Sequence, residues 1–164
     1  MSVTSAAGPS ASTVDAIKEK ARRLSILSMM STTAAGSGHP TSCLSAAEMM
    51  AGVFFYAMKF DPKNPNSPDA DRFVLSKGHA APVLYAALSE AGVFPASRLM
   101  TLRQFSSEIE GHPTPRIPGV DAATGSLGQG LSVGAGLAIG ALLDKSPTRV
   151  YVMLGDGEMA EGQI

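Results

Sequence analysis

The sequence predicts an α/β layered domain with a parallel sheet, and three observations lead to this prediction. Two short segments, 72–76 and 149–154, are apolar and have the composition of buried strands. Segments with helical periodicity precede and separate them, as parallel pairing requires. The second strand ends abruptly at Gly155-Asp156-Gly157, and the sequence stops soon afterwards. We therefore expect a strand–helix–strand unit that is incomplete at its C-terminal end.

The composition excludes several classes of protein. Hydrophobic residues make up 45% and charged residues 16% of the sequence, a balance typical of a globular domain with a core. The formal net charge of -1 gives no reason to expect nucleic acid or an acidic membrane as a partner. No apolar run reaches the roughly 20 residues that span a bilayer. We expect a cytoplasmic protein with a disordered tail at 1–13, which has no targeting signal, and one domain at 14–164.

The first half of the sequence predicts two helices and an irregular connection. Apolar residues recur at spacings of three and four from Val14 to Leu27, which predicts an amphipathic helix with Thr13 as N-cap and Gly36 at its end. A second helix is predicted from about residue 41 to 55. It is apolar nearly all round, so we expect it to be buried on most sides. The stretch 61–68 contains three prolines and is predicted to be irregular.

The second half predicts further helices around the two strands. Helices are predicted at 80–90 and 96–105, followed by a long loop at 110–124 that contains three prolines. The segment 127–143 reads as a helix with five glycines, each of which lowers helix propensity by about 1 kcal/mol relative to alanine. Tertiary contacts must compensate, so we expect a backbone or a ligand to lie close to this helix. Another helix is predicted to begin at Glu158.

The loop after the second strand is a candidate metal or anion site. Ligands of parallel α/β sheets bind at the carboxyl ends of the strands. Asp156 offers a hard oxygen of the kind that Mg²⁺ or Ca²⁺ prefers, and the flanking glycines let the backbone approach an anion closely. The same three residues also form common tight turns that bind nothing, and the motif alone leaves both interpretations open.

Two further features carry polar chemistry. Each of the three histidines, His39, His79 and His112, directly follows a glycine at a loop-to-helix junction. An imidazole there can donate to a phosphate or a hydroxyl and can transfer protons near pH 7. The segment 124–130 is a glycine-rich cradle before a helix, but it lacks the Lys and Ser/Thr of a nucleotide P-loop. A diphosphate or a flat aromatic ring fits this cradle equally well.

In their order along the chain, these motifs resemble the transketolase family. The resemblance runs from about Ala16 to the last residue, and five segments carry it: 36–42, 71–79, 111–113, 125–130 and 155–162. It implies the three-layer thiamine diphosphate-binding fold, with this chain forming the N-terminal part of the diphosphate-binding domain.

The resemblance also implies roles for individual residues. Asp156 would bind the divalent metal, Mg²⁺ or Ca²⁺, that bridges the diphosphate of the cofactor. His39 and His112 would face the sugar and take part in catalysis. Glu161 would belong to a carboxylate network between the two active sites of a dimer. Six residues would contact thiamine diphosphate: Ser42, His79, Gly125, Ser126, Leu127 and Gly157.

The implied activity is transfer of a two-carbon ketol unit from a ketose phosphate to an aldose phosphate in the pentose phosphate pathway. The implied partner is a second copy in a full-length homodimer, or a complementary chain that carries the pyrimidine-binding domain. We expect the isolated chain to be inactive, because the second half of the metal site and the phosphate-binding arginines are absent. Dihydroxyacetone synthase, half of a split enzyme and a non-catalytic assembly module remain open. Deoxyxylulose phosphate synthase is disfavoured, because the residues at 111–113 and 125–130 match the transketolase motifs.

Overall fold

A computed structural model describes residues 8–164 of the protein. Within this range the regular elements are α1 (Ala11–Ala35), α2 (Pro40–Leu44), α3 (Ala47–Gly52), β1 (Arg72–Leu75), α4 (Ala81–Ala91), α5 (Gln129–Leu143) and β2 (Val150–Met153). Shorter turns complete the list: a π-helical turn at Val53–Ala57 and 3-10 helices at Gly78–Ala80, Ala96–Thr101 and Gly157–Ala160.

The two strands form a parallel pair, as the sequence predicts. Arg72 lies opposite Val150 and Leu75 opposite Met153, so both carboxyl ends reach the same edge of the sheet. At the other edge, the Asp71 carboxylate accepts hydrogen bonds from the backbone N–H groups of Lys59 and Arg149, each at 2.8 Å. This buried carboxylate fixes the point at which both strands begin.

The sheet lies between two layers of helices. Phe73 and Leu75 point into a core built from α1, α3 and α4, whose centre is α4 with eight consecutive buried residues. The opposite face of the sheet is covered by α5. A Cβ atom on Gly134 would collide with the Val152 side chain, and one on Gly130 would lie 2.5 Å from Ser76. The expected close approach to the glycine-rich helix is thus made by the sheet itself, and the three-layer α/β prediction is confirmed.

Helix α1 begins earlier than the sequence analysis predicts. Its N-cap is Ser10, whose hydroxyl accepts a hydrogen bond from the Thr13 backbone N–H at 3.2 Å, so Thr13 lies inside the helix. The predicted disordered tail therefore overlaps the helix at residues 11–13. Residues 1–7 lie outside the described residues. The predicted end at Gly36 is confirmed: this glycine has φ +58°, in the left-handed region where a side chain is strained.

Three predicted helices are wrong in form. The one expected to begin at Glu158 is a short 3-10 helix, Gly157–Ala160. The helix expected at 41–55 is split into α2, α3 and the π-helical turn, and only one side of it is buried. Met50 lies in the core, whereas Met49 is 54% and Tyr56 is 52% exposed. The helix expected at 96–105 is a 3-10 helix that ends at Thr101, since Arg103 takes a left-handed φ of +61° that no helix continues. No helix in the described residues is long and apolar enough to cross a membrane.

Candidate functional site

The candidate site lies where the two strands end. Ser76 and Lys77 follow β1, while Gly155 and Asp156 follow β2, and the parallel register brings the two loops together. The turn before α5 reaches the same edge, because Gly128 donates a backbone hydrogen bond to Glu158 in the loop after β2. Carboxyl ends of neighbouring parallel strands are the usual position of ligands in such sheets.

The three predicted histidines lie around this edge. The rings of His39 and His79 pack edge-on, with centroids 5.1 Å apart and an angle of 77° between their planes. The His112 ring packs against Gly125, where a Cβ atom would lie 3.3 Å from its nearest ring carbon. The hydroxyl of Tyr85, in the buried helix α4, donates to the His112 carbonyl at 2.9 Å and holds the long loop in place.

The environment of His79 disfavours its protonated form. Partial burial lowers the pKa of His79, and the proximity of His39 and Lys77 lowers it further. Its neighbour Gly78 allows the chain to approach the next segment closely, because a Cβ atom there would lie 2.5 Å from the Thr124 carbonyl oxygen. A neutral imidazole next to this backbone can still donate one hydrogen bond to an anion.

Lys77 is a functional candidate that the sequence analysis missed. It is only 6% exposed, and its ammonium lies 3.4 Å from the Ser42 carbonyl oxygen, the one hydrogen-bond acceptor found for it among residues 8–164. Its aliphatic stem runs beside Gly155. A buried cation with one long hydrogen bond is poorly compensated, so this environment favours an anionic ligand. The sequence feature that could have identified Lys77 is its position directly after a buried strand.

Glu158 is the second candidate that the sequence analysis missed, since the sequence reading used it only to start a helix. It is 2% exposed and accepts hydrogen bonds from the Ser76 hydroxyl and from the backbone N–H groups of Gly128 and Gly155, both at 2.8 Å. Burial by itself would raise the pKa of Glu158. The three hydrogen bonds outweigh burial and hold the pKa below its ordinary value, so the carboxylate stays ionised.

Arg103 connects two of the histidine loops. Its guanidinium donates to the Ser37 hydroxyl at 3.0 Å and packs over Gly111, while its backbone N–H donates to the Ile109 carbonyl at 2.8 Å. A cleft of about 440 Å³ beside it is lined by Arg103, His112 and Arg116 among others. The loops at 36–39 and 109–112 are therefore joined through one arginine side chain.

The remaining predicted site residues lie at the surface of this edge. Asp156 is exposed at the start of the 3-10 helix, and the turn at 125–127 is exposed before α5. A Cβ atom on Gly128, which has φ +85°, would lie 3.1 Å from Cβ of Glu161, so Glu161 packs beside that turn. Gly157 is exposed at the same edge, and Ser42 is half-buried next to it. Within residues 8–164 no group of three His, Cys, Asp or Glu side chains is close enough to hold a metal.

The chemistry of these donors fits an anionic ligand better than a metal alone. Lys77 supplies a buried positive charge, and His79 supplies a hydrogen-bond donor next to the open turn at 125–127. Asp156 is a single carboxylate, which matches the way Mg²⁺ is held by one or two carboxylates together with ligand phosphates. The residues present therefore fit a diphosphate that brings its own metal.

Comparison with known proteins decides the family. The model of the transketolase thiamine diphosphate binding domain matches residues 16–164. The chain belongs to this family. It is 54% identical to the transketolase of Pongo abelii over 157 residues, which cover 95% of this chain and 25% of that protein. The chain thus spans about a quarter of the length of this relative.

Solved transketolase structures have the same fold. The transketolase of Pichia stipitis in complex with sedoheptulose 7-phosphate superimposes with a TM-score of 0.84 at 36% identity, over 92% of this chain and 24% of that one. The transketolase of Leishmania mexicana gives a TM-score of 0.84 at 34% identity, over 89% of this chain and 24% of that one. The family and the α/β fold predicted from the sequence are both confirmed.

Proposed function

We propose that this chain forms the diphosphate-binding part of a transketolase. The enzyme transfers a two-carbon ketol unit from a ketose phosphate to an aldose phosphate, with thiamine diphosphate and a divalent metal. The observation that supports this most strongly is the position of Lys77, His79 and Asp156 beside the 125–127 turn at one edge of the sheet. The Pichia stipitis relative is described as a complex with a sugar phosphate, which supports the substrate class.

One group of residues at this edge would bind the cofactor and its metal, and a second group would bind the sugar. We propose that Asp156 binds Mg²⁺ or Ca²⁺, that Lys77 offsets part of the negative charge of the diphosphate, and that His79 donates a hydrogen bond to it. When bound, thiamine diphosphate supplies the electron sink that carbon–carbon cleavage needs. The protein supplies position and charge: Ser42, Gly157 and the 125–127 turn contact the cofactor.

Of the two remaining histidines, His112 lines the cleft at Arg103, and the ring of His39 packs against that of His79. We propose that His39 and His112 hold sugar hydroxyls by hydrogen bonds. An imidazole can also accept or release a proton at those hydroxyl oxygens. The contact of His112 with Gly125 supports this role, because the His112 ring lies directly beside the 125–127 turn.

We further propose that the active form is a dimer, or an assembly with a chain that carries the pyrimidine-binding domain. Helix α5 supports this, because it carries no charged residue and leaves Ile139 57%, Leu142 76% and Leu143 78% exposed. Such an apolar surface is typical of an interface. Glu161, exposed beside the 125–128 turn, would belong to a carboxylate network between two sites. We place this enzyme in the cytoplasmic pentose phosphate pathway.

A non-catalytic assembly module explains less of the structure. An assembly surface has no need of a lysine and a glutamate buried side by side at a sheet edge, because burying charges costs free energy. A buried lysine with one long hydrogen bond is expected where an anionic ligand binds. The site therefore favours the enzyme.

Isothermal titration calorimetry of thiamine diphosphate with Mg²⁺ tests the proposal, in the full-length protein that carries this segment. Wild-type protein is expected to bind the cofactor in a metal-dependent way and to convert xylulose 5-phosphate and ribose 5-phosphate. Asp156→Ala should abolish the metal dependence, whereas Asp15→Ala, at an exposed position in α1, should not. Absence of cofactor binding by the wild type would refute the proposal. Residues 1–164 alone are expected to show no turnover.

A further inference from the structure

One carboxylate joins the three segments that surround the candidate site. Glu158 accepts hydrogen bonds from Ser76 after β1, from Gly128 before α5 and from Gly155 after β2. Its Oε1 atom takes the bonds from Ser76 and Gly128, and its Oε2 atom takes the bond from Gly155. The two oxygens of one planar group therefore fix the separation of the two loops.

Both glycine N–H groups belong to loops that no backbone hydrogen bond of the sheet joins to each other. Gly128 ends the 125–127 turn, and Gly155 precedes Asp156. The backbone hydrogen bonds of the sheet end with the bond from the Ser76 N–H to the Met153 carbonyl, so the sheet does not hold these two loops. The positions of the turn and of Asp156 relative to each other depend on the Glu158 side chain.

We propose that Glu158 is a positioning residue for the ligand of this site, because its carboxylate holds the 125–127 turn and Asp156 at the separation that one ligand needs. The inference rests on the proposed function, since it takes thiamine diphosphate with its metal as that ligand. Glu158 itself does not touch the ligand. It acts through the backbone of Gly128 and Gly155.

A carboxylate is an unusual group to bury next to a site for an anion, and its neighbours explain how it is tolerated. The stem of Lys77 and the side chain of Glu158 both lie against Gly155, where a Cβ atom would be 3.5 Å from Lys77 and 3.6 Å from Glu158. The three hydrogen bonds that Glu158 accepts offset the cost of burying its charge. An acceptor with two separate oxygens can bind two N–H groups of different loops at once, which a hydroxyl or an amide oxygen cannot do with the same geometry.

The alternative is that Glu158 only stabilises the fold. Two substitutions separate the two roles in the full-length protein. Glu158→Gln keeps the size of the side chain but presents an amide N–H₂ to one of the two glycine N–H groups. Glu158→Asp keeps the charge but is shorter by one methylene, so one carboxylate can no longer reach both loops. Glu48→Gln is the matched control, because Glu48 is exposed in α3.

Three measurements are made on each variant. Calorimetry gives the dissociation constant of thiamine diphosphate with Mg²⁺ for the folded fraction, and hydrogen exchange reports the protection of the Gly128 and Gly155 amides. Thermal unfolding gives the stability. We expect both Glu158 variants to bind the cofactor about tenfold more weakly or worse, the usual loss for a residue that orients a ligand-binding group. The two amides should exchange faster, and Glu48→Gln should match the wild type in all three measurements.

The outcomes distinguish the inference from the proposed function. If wild-type protein binds thiamine diphosphate and folded Glu158→Asp binds it within about twofold, the positioning role is refuted and the function stands. If the wild type binds none, both fail. A purely structural role would lower the unfolding temperature while the folded fraction keeps its affinity. If Glu158→Gln does not fold, Glu158→Asp alone decides.

Discussion

The imidazole rings of His39 and His79 stand edge-on to each other, with their centroids 5.1 Å apart. His39 is the N-cap residue of α2, and His79 lies in the 3-10 helix that follows β1. Their contact therefore joins the start of α2 to the segment after β1. His79 shares its segment with Lys77, whose ammonium donates a hydrogen bond to the carbonyl oxygen of Ser42 in α2. The segment after β1 thus contacts α2 through an aromatic pair and a cation.

Replacement of Lys77 by methionine tests whether this cation serves the ligand or the fold. Lys77→Met should weaken thiamine diphosphate binding about tenfold or more, because it removes a buried positive charge from the diphosphate position. The unfolding temperature should stay the same or rise, since an isosteric apolar group is cheaper to bury than an ammonium with one long hydrogen bond. Calorimetry and thermal unfolding measure the two effects, with exposed Lys63→Met as control. A fall in stability at unchanged affinity would contradict the ligand role.

The glycine-rich helix α5 gives a prediction with a matched pair of positions. Gly134→Ala should destabilise the protein by about 1–3 kcal/mol, because its Cβ atom would collide with Val152 in the sheet. Gly136→Ala, two residues along the same helix, has no atom within 4 Å of the new methyl group. It should stabilise the helix by about 0.5–1 kcal/mol. Urea denaturation of both variants measures the difference, and equal effects at 134 and 136 would contradict the packing described here.

The first helix is joined to α4 by an ion pair that depends on pH. The Glu90 side chain is 12% exposed and accepts hydrogen bonds from Lys20 and Arg23, each at 2.9 Å. Burial alone would raise the pKa of Glu90, but the two cations outweigh it and lower the pKa. A lowered pKa means that the stabilisation is complete above the ordinary pKa of a glutamate and is lost as the pH falls through the lowered value.

Glu90→Gln should therefore cost about 1 kcal/mol of unfolding free energy at pH 7 and progressively less in acid, where the wild type loses the same interaction. The control is Glu19→Gln, since Glu19 pairs with Arg22 in full contact with solvent and should leave stability unchanged. Thermal unfolding between neutral and acidic pH measures both variants. A cost for Glu90→Gln that is independent of pH would show that the pair does not act through charge.

The regular parts of the fold could be predicted because their signals are local or periodic. The end of α1 follows from a glycine that can take a positive φ, and the parallel strands follow from short apolar segments separated by helices. The close packing of α5 could be inferred from its glycines, although only the structure identifies the sheet as the neighbour. The start of α1 could not be predicted to the residue, because Ser10 and Thr13 are both plausible N-caps. Only the backbone geometry identifies Ser10 as the N-cap.

The parts of the site that escaped prediction depend on burial, which one charged residue does not reveal. The position of Lys77 directly after a buried strand is the one local sign of its burial, and Glu158 stands in a motif whose other acidic residues, Asp156 and Glu161, are exposed. Glu158 gains its three donors from segments that lie far apart in sequence. The left-handed turn at Arg103, which ends a predicted helix early, depends in the same way on contacts with Ser37 and Gly111.

The most direct test of the central claim is a crystal structure of the full-length protein with thiamine diphosphate and Mn²⁺, whose anomalous signal locates the metal. The account predicts one metal on Asp156, with the diphosphate between that metal and His79 and the cofactor rings beside the 125–127 turn. A metal away from Asp156, or a diphosphate that contacts neither His79 nor this edge of the sheet, would contradict it.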